Sequence, residues 1–397
     1  MIAETSTWRA AGGWVPSVPE PDGRAAIVLV AGDREALAAA AECDADPLGD
    51  LGRAWAGTGA GVLGWSTAGH TLDGQPSDGA VAVLTLRFDD VQVRSASTSL
   101  TDCGTARRAG RELADALAAP DLRVVLVVAD GLRVNGSILA AGIADVLPDV
   151  PVLGVLAADG DRYGATWTLC DGVASDDAIV AVGLCGDALE LHQGVAAGWH
   201  PVGPERLVTS SHGNVVHEID GAPPAELYRE YLGALADEFV ANGSMLPLEV
   251  RDLDDRRTLR SLRAVRDDGS IVVSGDVAQG ASVRLLRASA ADLLLDAELA
   301  GKAAWMDGPA AALVISSAGR RRVLGERADD EALAALGSMP AGMPSLAAWT
   351  YGALVHDGEL TDVHDESICV VTLRERDPGR AAVAADTPFD AEEHTTS

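Results

Sequence analysis

Residues 62 to 70 read VLGWSTAGH, an apolar strand that ends in a glycine-rich turn, and residues 152 to 160 read VLGVLAADG with the same outline. Before the first copy lie an apolar run, AAIVLV (25–30), and a helical segment, DREALAAAAE (33–42), and after it comes AVAVLTLRF (80–88). Short apolar runs predict buried strands, and the Asp-Gly pairs between them favour hairpins. The pattern therefore predicts a unit of strand, helix, strand and hairpin.

The unit recurs along the chain. A second copy begins at RVVLVVADG (123–131), and a third can be argued from AALVISSAG (311–319) to SICVVTL (367–373). The expected hairpin turns are Asp73-Gly74, Asp78-Gly79, Asp171-Gly172 and Asp357-Gly358. Because consecutive strands follow each helix, the unit differs from the alternation of a doubly wound sheet. We therefore expect a mixed α/β (α+β) fold with mixed sheets and with helices on their outer faces.

Length and turn-forming residues divide the chain. At 397 residues it is long for one compact unit, which predicts two domains. The turn-rich stretch GWHPVGPE (198–205) indicates a boundary, which gives domains at residues 24–205 and 206–375. Residues 1–23 combine three prolines with polar residues and predict an extended lead, whereas the polar, acidic residues 376–397 predict a disordered tail.

Charge and cysteine content exclude several classes of protein. The formal net charge of −30 argues against binding of nucleic acid or an anionic membrane, since both require a basic surface. The five cysteines are scattered without a Cys-x-x-Cys pair, which argues against a disulfide framework and a zinc knuckle. No apolar run approaches the length that spans a bilayer. We therefore expect a cytoplasmic protein with no nucleic-acid partner and no membrane insertion.

Ser66 is a candidate nucleophile. A hydrolase elbow needs small residues two positions before and after the serine, and Gly64 and Ala68 meet that need. The segment that follows is rich in turns and predicts no helix to support an elbow, and no spacing selects a base among the eight histidines. A serine hydrolase that uses Ser66 is therefore a secondary alternative.

The same loop is also a candidate ligand cradle. Its glycines let backbone amides turn inward, and Ser66 and Thr67 add hydroxyls, which suits a carboxylate, a phosphate or the polar end of a small molecule. The GxxxxGK[ST] pattern of nucleotide triphosphate sites is absent. Elsewhere, the arginine triplet 320–322 could hold an anionic ligand group or pair with acidic residues of its own fold.

Histidines leave a third alternative open. His200, His212 and His217 lie within 18 positions, with His212 at the tip of a predicted hairpin and His217 on an apolar strand face. Such histidines are more often core residues than ligands. We therefore predict no metal site and no cofactor, with haem as the open alternative.

Several segments together resemble the FIST family of bacterial sensory proteins, built of paired N- and C-terminal FIST domains. The segments are VLGWSTAGH (62–70), VPVLGVLAADG (150–160), residues 198–233, ALVISSAGRRRVLG (312–325) and residues 348–373. The resemblance implies a cytoplasmic, non-enzymatic sensor of small polar molecules such as amino acids. Some relatives look like haem-dependent nitric oxide sensors, so a haem-dependent nitric oxide or gas sensor is the first alternative function. With no output segment recognised after residue 375, we expect a stand-alone module that signals to a separate kinase or chemoreceptor.

The expected ligand pocket follows from the loop and the resemblance. Ser66 and Thr67 would donate hydrogen bonds, Asp159 would hold a cationic or hydroxyl group, Trp199 and Tyr351 would form apolar walls, and Arg320 would pair with an anionic group. The glycines that shape the loop are Gly64 and Gly69. No catalytic residue is expected.

Four positions depart from the family pattern. Trp65 replaces a cysteine, Val155 a glycine, Ala353 a glutamate and Asp365 an asparagine. These departures put a thiol-dependent or acid-dependent function of the family site in doubt.

Overall fold

The computed structural model describes residues 1–170, 172–356 and 361–376, and within them the three predicted units are present. The turn residues Asp171, Asp357 and Gly358 and the predicted tail beyond Arg376 lie outside the described residues. The mixed α/β fold is confirmed: runs of consecutive strands follow the helices, and the sheets contain both parallel and antiparallel pairs.

The units share a central order of strand, helix, strand, hairpin and strand, and they differ in the elements that precede it and in the number of helices. The first contains β1 Ile2–Arg9, β2 Gly13–Val15, β3 Ala25–Gly32, α1 Arg34–Glu42, α2 Pro47–Trp55, β4 Gly61–Ser66, β5 His70–Leu72, β6 Gln75–Pro76 and β7 Val81–Phe88. The second contains β8 Gln92–Ser99, α3 Leu100–Cys103, α4 Ala106–Leu117, β9 Leu122–Asp130, α5 Gly136–Ala144, β10 Val152–Ala157, β11 Thr168–Cys170, β12 Val173–Ser175 and β13 Ala178–Cys185.

The third unit begins with one strand and is then interrupted by an insertion. Its first strand is β14 Leu189–Ala196. The insertion contains β15 His200–His212, β16 Val215–Ile219, α6 Pro224–Leu232, a 3-10 turn at Gly233–Glu238, α7 Phe239–Gly243, β17 Leu248–Arg251, β18 Arg257–Arg260, β19 Leu262–Val265, β20 Ile271–Val273 and β21 Ser282–Arg287. The unit resumes with α8 Ala290–Ala303, β22 Ala311–Ser317, α9 Ala318–Leu324, a 3-10 turn at Gly325–Arg327, α10 Ala328–Leu336, β23 Ser345–Thr350, β24 Ala353–His356, β25 Thr361–His364 and β26 Ile368–Glu375.

Within each unit the central strands pair in one way. The strand before the helix runs parallel to the strand after it and antiparallel to the last strand of the unit, as β3 does with β4 and β7. The second unit repeats this pairing with β9, β10 and β13, and the third with β22, β23 and β26. Uniformly apolar strands are expected here because both faces of each sheet are covered.

The hairpins are exchanged between units in a closed cycle. The hairpin β5–β6 of the first unit pairs with β23 of the third. The hairpin β11–β12 of the second unit pairs with β4 of the first, and the hairpin β24–β25 of the third unit pairs with β10 of the second. Each sheet is therefore completed by a strand from another unit.

One apolar core lies between the three sheets. Alternate residues of the central strands β3, β9 and β22, among them Leu29, Leu126 and Leu313, point into this shared core. The residues between them, such as Val28 and Val125, face the helices on the opposite sides of the sheets. The helices thus cover the outer faces, as expected, and Asp33 starts α1 by accepting a hydrogen bond from the Ala36 amide.

Two features of the domain organisation differ from the expected outline. Residues 1–23 contain β1 and β2, which extend the first sheet, so they are not a lead outside it. Strands β15–β21 form a separate seven-stranded sheet with its own core. The predicted boundary between residues 205 and 206 lies inside β15, where the register with β21 shifts between Val202 and Arg206. The predicted hairpin tip after His212 is confirmed.

Candidate functional site

The three loops that follow the second strands meet at one point. The Ala158 amide donates to Ser66 O at 2.8 Å, the Ala68 amide donates to Trp349 O at 2.8 Å, and the Tyr351 amide donates to Leu156 O at 2.9 Å. Each unit is therefore hydrogen-bonded to both of the others through this junction. The repeated glycine turn of the sequence is the joint between units.

The loop at Ser66 has no backbone amide left for a ligand. The amides of Ser66, Thr67 and Ala68 donate to carbonyl oxygens of the chain, and the Gly69 amide donates to Thr67 Oγ1. The expected cradle of inward amides is therefore wrong, because protein acceptors already occupy them. Ser66 is buried and its Oγ accepts from the Trp167 amide at 2.9 Å, an arrangement that does not support a nucleophile.

Beside this junction lies a cleft of about 580 Å³ that we call the loop cleft. It is lined by Asp33, Glu35, Thr67, Ala68, Gly69, Asp78, Gly79, Asp159, Gly160, Asp161 and Arg162. Three of the eight predicted site residues, Thr67, Gly69 and Asp159, therefore share one cavity. Five carboxylates and one guanidinium make its lining acidic.

Ion pairs neutralise part of this acidic lining. Glu35 pairs with Arg162, Asp78 with Arg321 and Asp161 with Arg322. Within the described residues, neither Asp33 nor Asp159 forms an ion pair; both accept hydrogen bonds from backbone amides instead. Burial raises the pKa of Asp33 above its usual range, with the amide bonds from Ala36 and Gly79 opposing. The cleft therefore keeps an excess of negative charge.

Asp159 connects the cleft to the inserted domain. Tyr351 is fully buried, its hydroxyl donates to Asp159 Oδ1, and its ring stacks on Tyr163 with centroids 4.8 Å apart. Burial, followed by the bond to Asp159, raises the pKa of Tyr351, so the hydroxyl stays protonated. Arg263 of the inserted domain lies over the Tyr351 ring at 5.1 Å and pairs with Asp365 at 3.0 Å. Tyr351 is thus a hydrogen-bond donor in the interior and not an open apolar wall.

Arg321 lies next to two residues of the cleft lining, Gly69 and Asp78. Its guanidinium lies 4.8 Å from the centre of the Trp349 ring and pairs with Asp78 at 2.5 Å. Gly69 has a φ of +139°, and a Cβ there would come within 1.4 Å of Arg321 Nη1. A side chain at this position would strain the backbone and displace the guanidinium. Burial lowers the pKa of the neighbouring His70 to about 4, with Asp78 opposing, so the imidazole is neutral at pH 7.

The other predicted site residues lie away from the cleft lining. Arg320 is fully buried, pairs with Glu331 at 2.7 Å and donates to two backbone carbonyls, so it has no place for a ligand anion. Trp199 donates from Nε1 to Glu366 O and packs near Leu293. Gly64 lets β4 approach β11, because a Cβ there would lie 2.6 Å from Leu169 Cβ. These three positions shape the protein interior.

The departures from the family pattern also have structural explanations. Trp65, Val155 and Ala353 belong to the shared core between the sheets, and Val155 is the cross-strand partner of Ala353. Asp365 is fully buried against Arg263, and burial raises its pKa. Three of the four departures therefore concern packing of the core and not the lining of the loop cleft.

Several residues of the cleft were not predicted from the sequence. The cleft is also lined by Asp33, Asp78 and Arg162. These residues lie in a helix cap, a turn and a loop, where polar residues are common and do not by themselves indicate a site. The arginine triplet was the one available signal, and its second interpretation is correct: Arg321 and Arg322 pair with carboxylates of the chain at the cleft. His200 and His212 are exposed in the inserted domain, and the haem alternative stays a prediction.

Within the described residues, no helix is both long and apolar enough to cross a membrane.

Comparison with solved structures finds the crystal structure of a cyanuric acid hydrolase from A. caulinodans, with 12% identity over 94% of this chain and 99% of that chain, at a TM-score of 0.35. A similarity of this degree establishes neither fold nor activity. Comparison with curated proteins finds no match.

Two family models match consecutive parts of the chain. The model of the FIST N domain matches residues 28–222, and the model of the FIST C domain matches residues 224–356. Together the two matches span most of the chain, and the first extends from β3 of the first unit through the second unit to β16 of the insertion. FIST domains are sensory, small-ligand-binding domains of bacterial signal transduction proteins. This chain belongs to the FIST family.

Proposed function

We propose that this protein is a stand-alone cytoplasmic sensory module that binds a small polar metabolite, an amino acid or a related compound, in the loop cleft. The observation that carries the proposal is the lining of that cleft, which combines five carboxylates with one guanidinium and the Thr67 hydroxyl. A cavity of a few hundred Å³ with a small number of convergent polar groups is typical of small-molecule sites.

The charges of the cleft favour a zwitterion. Asp33 and Asp159 supply unpaired negative charge for an ammonium group. Arg162 is half-exposed and bonded to the half-exposed Glu35, and such surface pairs are worth about 1 kcal/mol or less, so a ligand carboxylate can replace Glu35 at little cost. An amino acid carries both an ammonium group and a carboxylate group in one small molecule.

A route for the signal lies next to the cleft. A ligand that binds Asp159 perturbs the carboxylate that accepts the hydrogen bond of the Tyr351 hydroxyl. The guanidinium of Arg263, which belongs to the inserted domain, lies over the Tyr351 ring. This chain of contacts supports a role for the inserted domain in reaching a separate partner, such as a kinase or chemoreceptor.

Binding is tested by calorimetry and thermal shift with amino acids, amines and organic acids. We expect an amino acid to raise the melting temperature, and Arg162→Ala to weaken its binding about tenfold through loss of the carboxylate partner. The matched control is Arg111→Ala, because Arg111 is equally exposed and pairs with Asp145 on the second unit, outside the cleft. If no compound stabilises the protein, or if both variants weaken binding equally, the assignment of the cleft is wrong.

A further inference from the structure

We propose that Asp33, His70 and Asp78 form a binding site for a divalent transition-metal ion in one wall of the loop cleft. One ligand atom from each residue lies within 4.8 Å of the other two, and Asp33 and His70 are buried while Asp78 is exposed. The three residues come from the cap of α1, the start of β5 and the turn before β7. The site goes beyond the proposed function and does not depend on a metabolite.

His70 provides the observation that separates this cluster from an ordinary acidic surface. Its side chain is 0% exposed, its Nδ1 lies 3.3 Å from Thr67 Oγ1, and its Nε2 has no hydrogen-bond partner within the described residues. When Nδ1–H donates to the Thr67 hydroxyl, Nε2 presents a lone pair. A ligating histidine commonly has one ring nitrogen held by such a bond and the other on the metal. A buried polar nitrogen without a partner is otherwise costly.

The two carboxylates are oriented by backbone amides. Asp33 Oδ1 accepts from the Ala36 amide at 2.7 Å, and its Oδ2 accepts from the Gly79 amide at 2.5 Å. Asp78 Oδ1 accepts from the His70 amide at 3.1 Å. Each oxygen retains a second lone pair for a metal. The ligands are thus held near one another by the fold.

The donor set selects the class of metal. One imidazole nitrogen with two carboxylate oxygens suits Zn²⁺, Fe²⁺ or Mn²⁺ more than softer or all-oxygen ions. Metal–ligand bonds of about 2.0–2.2 Å require the ligands to approach more closely than 4.8 Å, and the half-exposed Asp78 side chain would make that movement by giving up its ion pair with Arg321. Three protein ligands leave a further coordination position open to the cleft.

Arg321 competes with the metal for Asp78. Its Nη2 pairs with Asp78 Oδ2 at 2.5 Å, and its Nη1 is buried without a hydrogen-bond partner in the described part of the chain. A metal ion that takes Asp78 must therefore act against this guanidinium. Removing the positive charge of Arg321 frees a ligand and removes a repulsion, so it should tighten metal binding.

The test is calorimetric titration of Zn²⁺ into untagged, metal-free protein in buffer at physiological salt. We expect one ion per chain. His70→Gln and Asp78→Asn should each weaken binding more than about tenfold, and Arg321→Met should tighten it about tenfold. Matched controls are His212→Gln and Asp176→Asn, which remove an exposed histidine and an exposed aspartate elsewhere and should change nothing.

Circular dichroism shows whether each variant is folded. Asp78 is exposed, and asparagine keeps the oxygen that accepts the hydrogen bond of the His70 amide. The Asp78→Asn variant therefore tests the metal site even if His70→Gln fails to fold. Co²⁺ in place of Zn²⁺ adds a spectroscopic signal, since visible absorption of a low-symmetry site should disappear in the same variants. Binding that survives Asp78→Asn, binding lost equally in the controls, or weaker binding in Arg321→Met overturns the proposal, as does the absence of any bound ion.

Discussion

Replacing Glu366 with glutamine should remove a large pH dependence from the stability of this protein. The Glu366 side chain is fully buried, and its carboxylate accepts from the hydroxyl of Ser261 in the inserted domain and from that of Ser317 at 2.8 Å. Burial, assisted by the negative charge of Asp365 and opposed by the serine hydroxyls, raises the pKa of Glu366 from 4.5 to about 7. The folded state therefore binds this proton more tightly than the unfolded chain does.

The magnitude follows from linkage. A group with a raised pKa in the folded state contributes stability fully below the unfolded pKa, and that contribution is lost as the pH rises through the folded pKa. Moving the Glu366 pKa from 4.5 to about 7 corresponds to about 3 kcal/mol, of which about 2 kcal/mol falls between about pH 5.5 and about pH 8.5. Glutamine cannot titrate, so the variant lacks this loss.

The assay is urea unfolding followed by tryptophan fluorescence across that pH range, for the natural chain, Glu366→Gln and the control Glu230→Gln at an exposed position. The free energy of unfolding of the natural chain should fall relative to that of Glu366→Gln by about 2 kcal/mol as the pH rises. The control should follow the natural chain. If all three proteins show the same pH dependence, Glu366 is ionised in the folded state at neutral pH and the reasoning is refuted.

Three further substitutions test the junction and the interior. Gly69→Ala should cost about 2 kcal/mol or more in urea unfolding, because its φ of +139° is strained for alanine and its Cβ meets the guanidinium that crosses it, whereas Gly12→Ala, in open space and without a positive φ, should cost less. Arg320→Leu should cost about 3–5 kcal/mol by leaving Glu331 buried and unpaired, and adding Glu331→Gln should recover part of the loss; no recovery would mean that the pair is not the cause. Ser66→Ala should cost about 1 kcal/mol, and a fluorophosphonate probe should label neither protein; labelling that disappears in Ser66→Ala would restore the hydrolase alternative.

The repeated units could be predicted because their central strands are buried on both faces. A strand such as Ala25–Gly32 is covered by the shared core on one side and by helices on the other, so its sequence is uniformly apolar. Strand Ile2–Arg9 lies near the edge of the sheet, and its mixture of polar and apolar residues did not indicate a strand. The stretch at 198–205 indicated a boundary because Gly203 and Pro204 interrupt regular pairing within a strand.

The site was harder to predict because its contacts join distant parts of the chain. The sequence indicated that the glycine turn at Ser66 recurs. It did not indicate that backbone amides of this turn donate hydrogen bonds to carbonyl oxygens of the other units. Arginine at 320 was predicted to meet a ligand, whereas the structure buries it against Glu331, and Arg321 and Arg322 reach the cleft instead. Adjacent helical positions point in different directions, so which arginine faces the cleft depends on how α9 packs.

The exchange of hairpins determines when the chain can fold during its synthesis. Strand β10 lacks its second neighbour until the third unit supplies β24, and the hairpin β5–β6 has no further strand to pair with until β23 is made. A nascent chain that stops after the second unit therefore exposes an open strand edge together with an unpaired hairpin, the features that promote association with other chains. A ribosome that pauses near the middle of the message, after the second unit, therefore holds a chain with the free edge of β10 and the hairpin β5–β6 both uncovered.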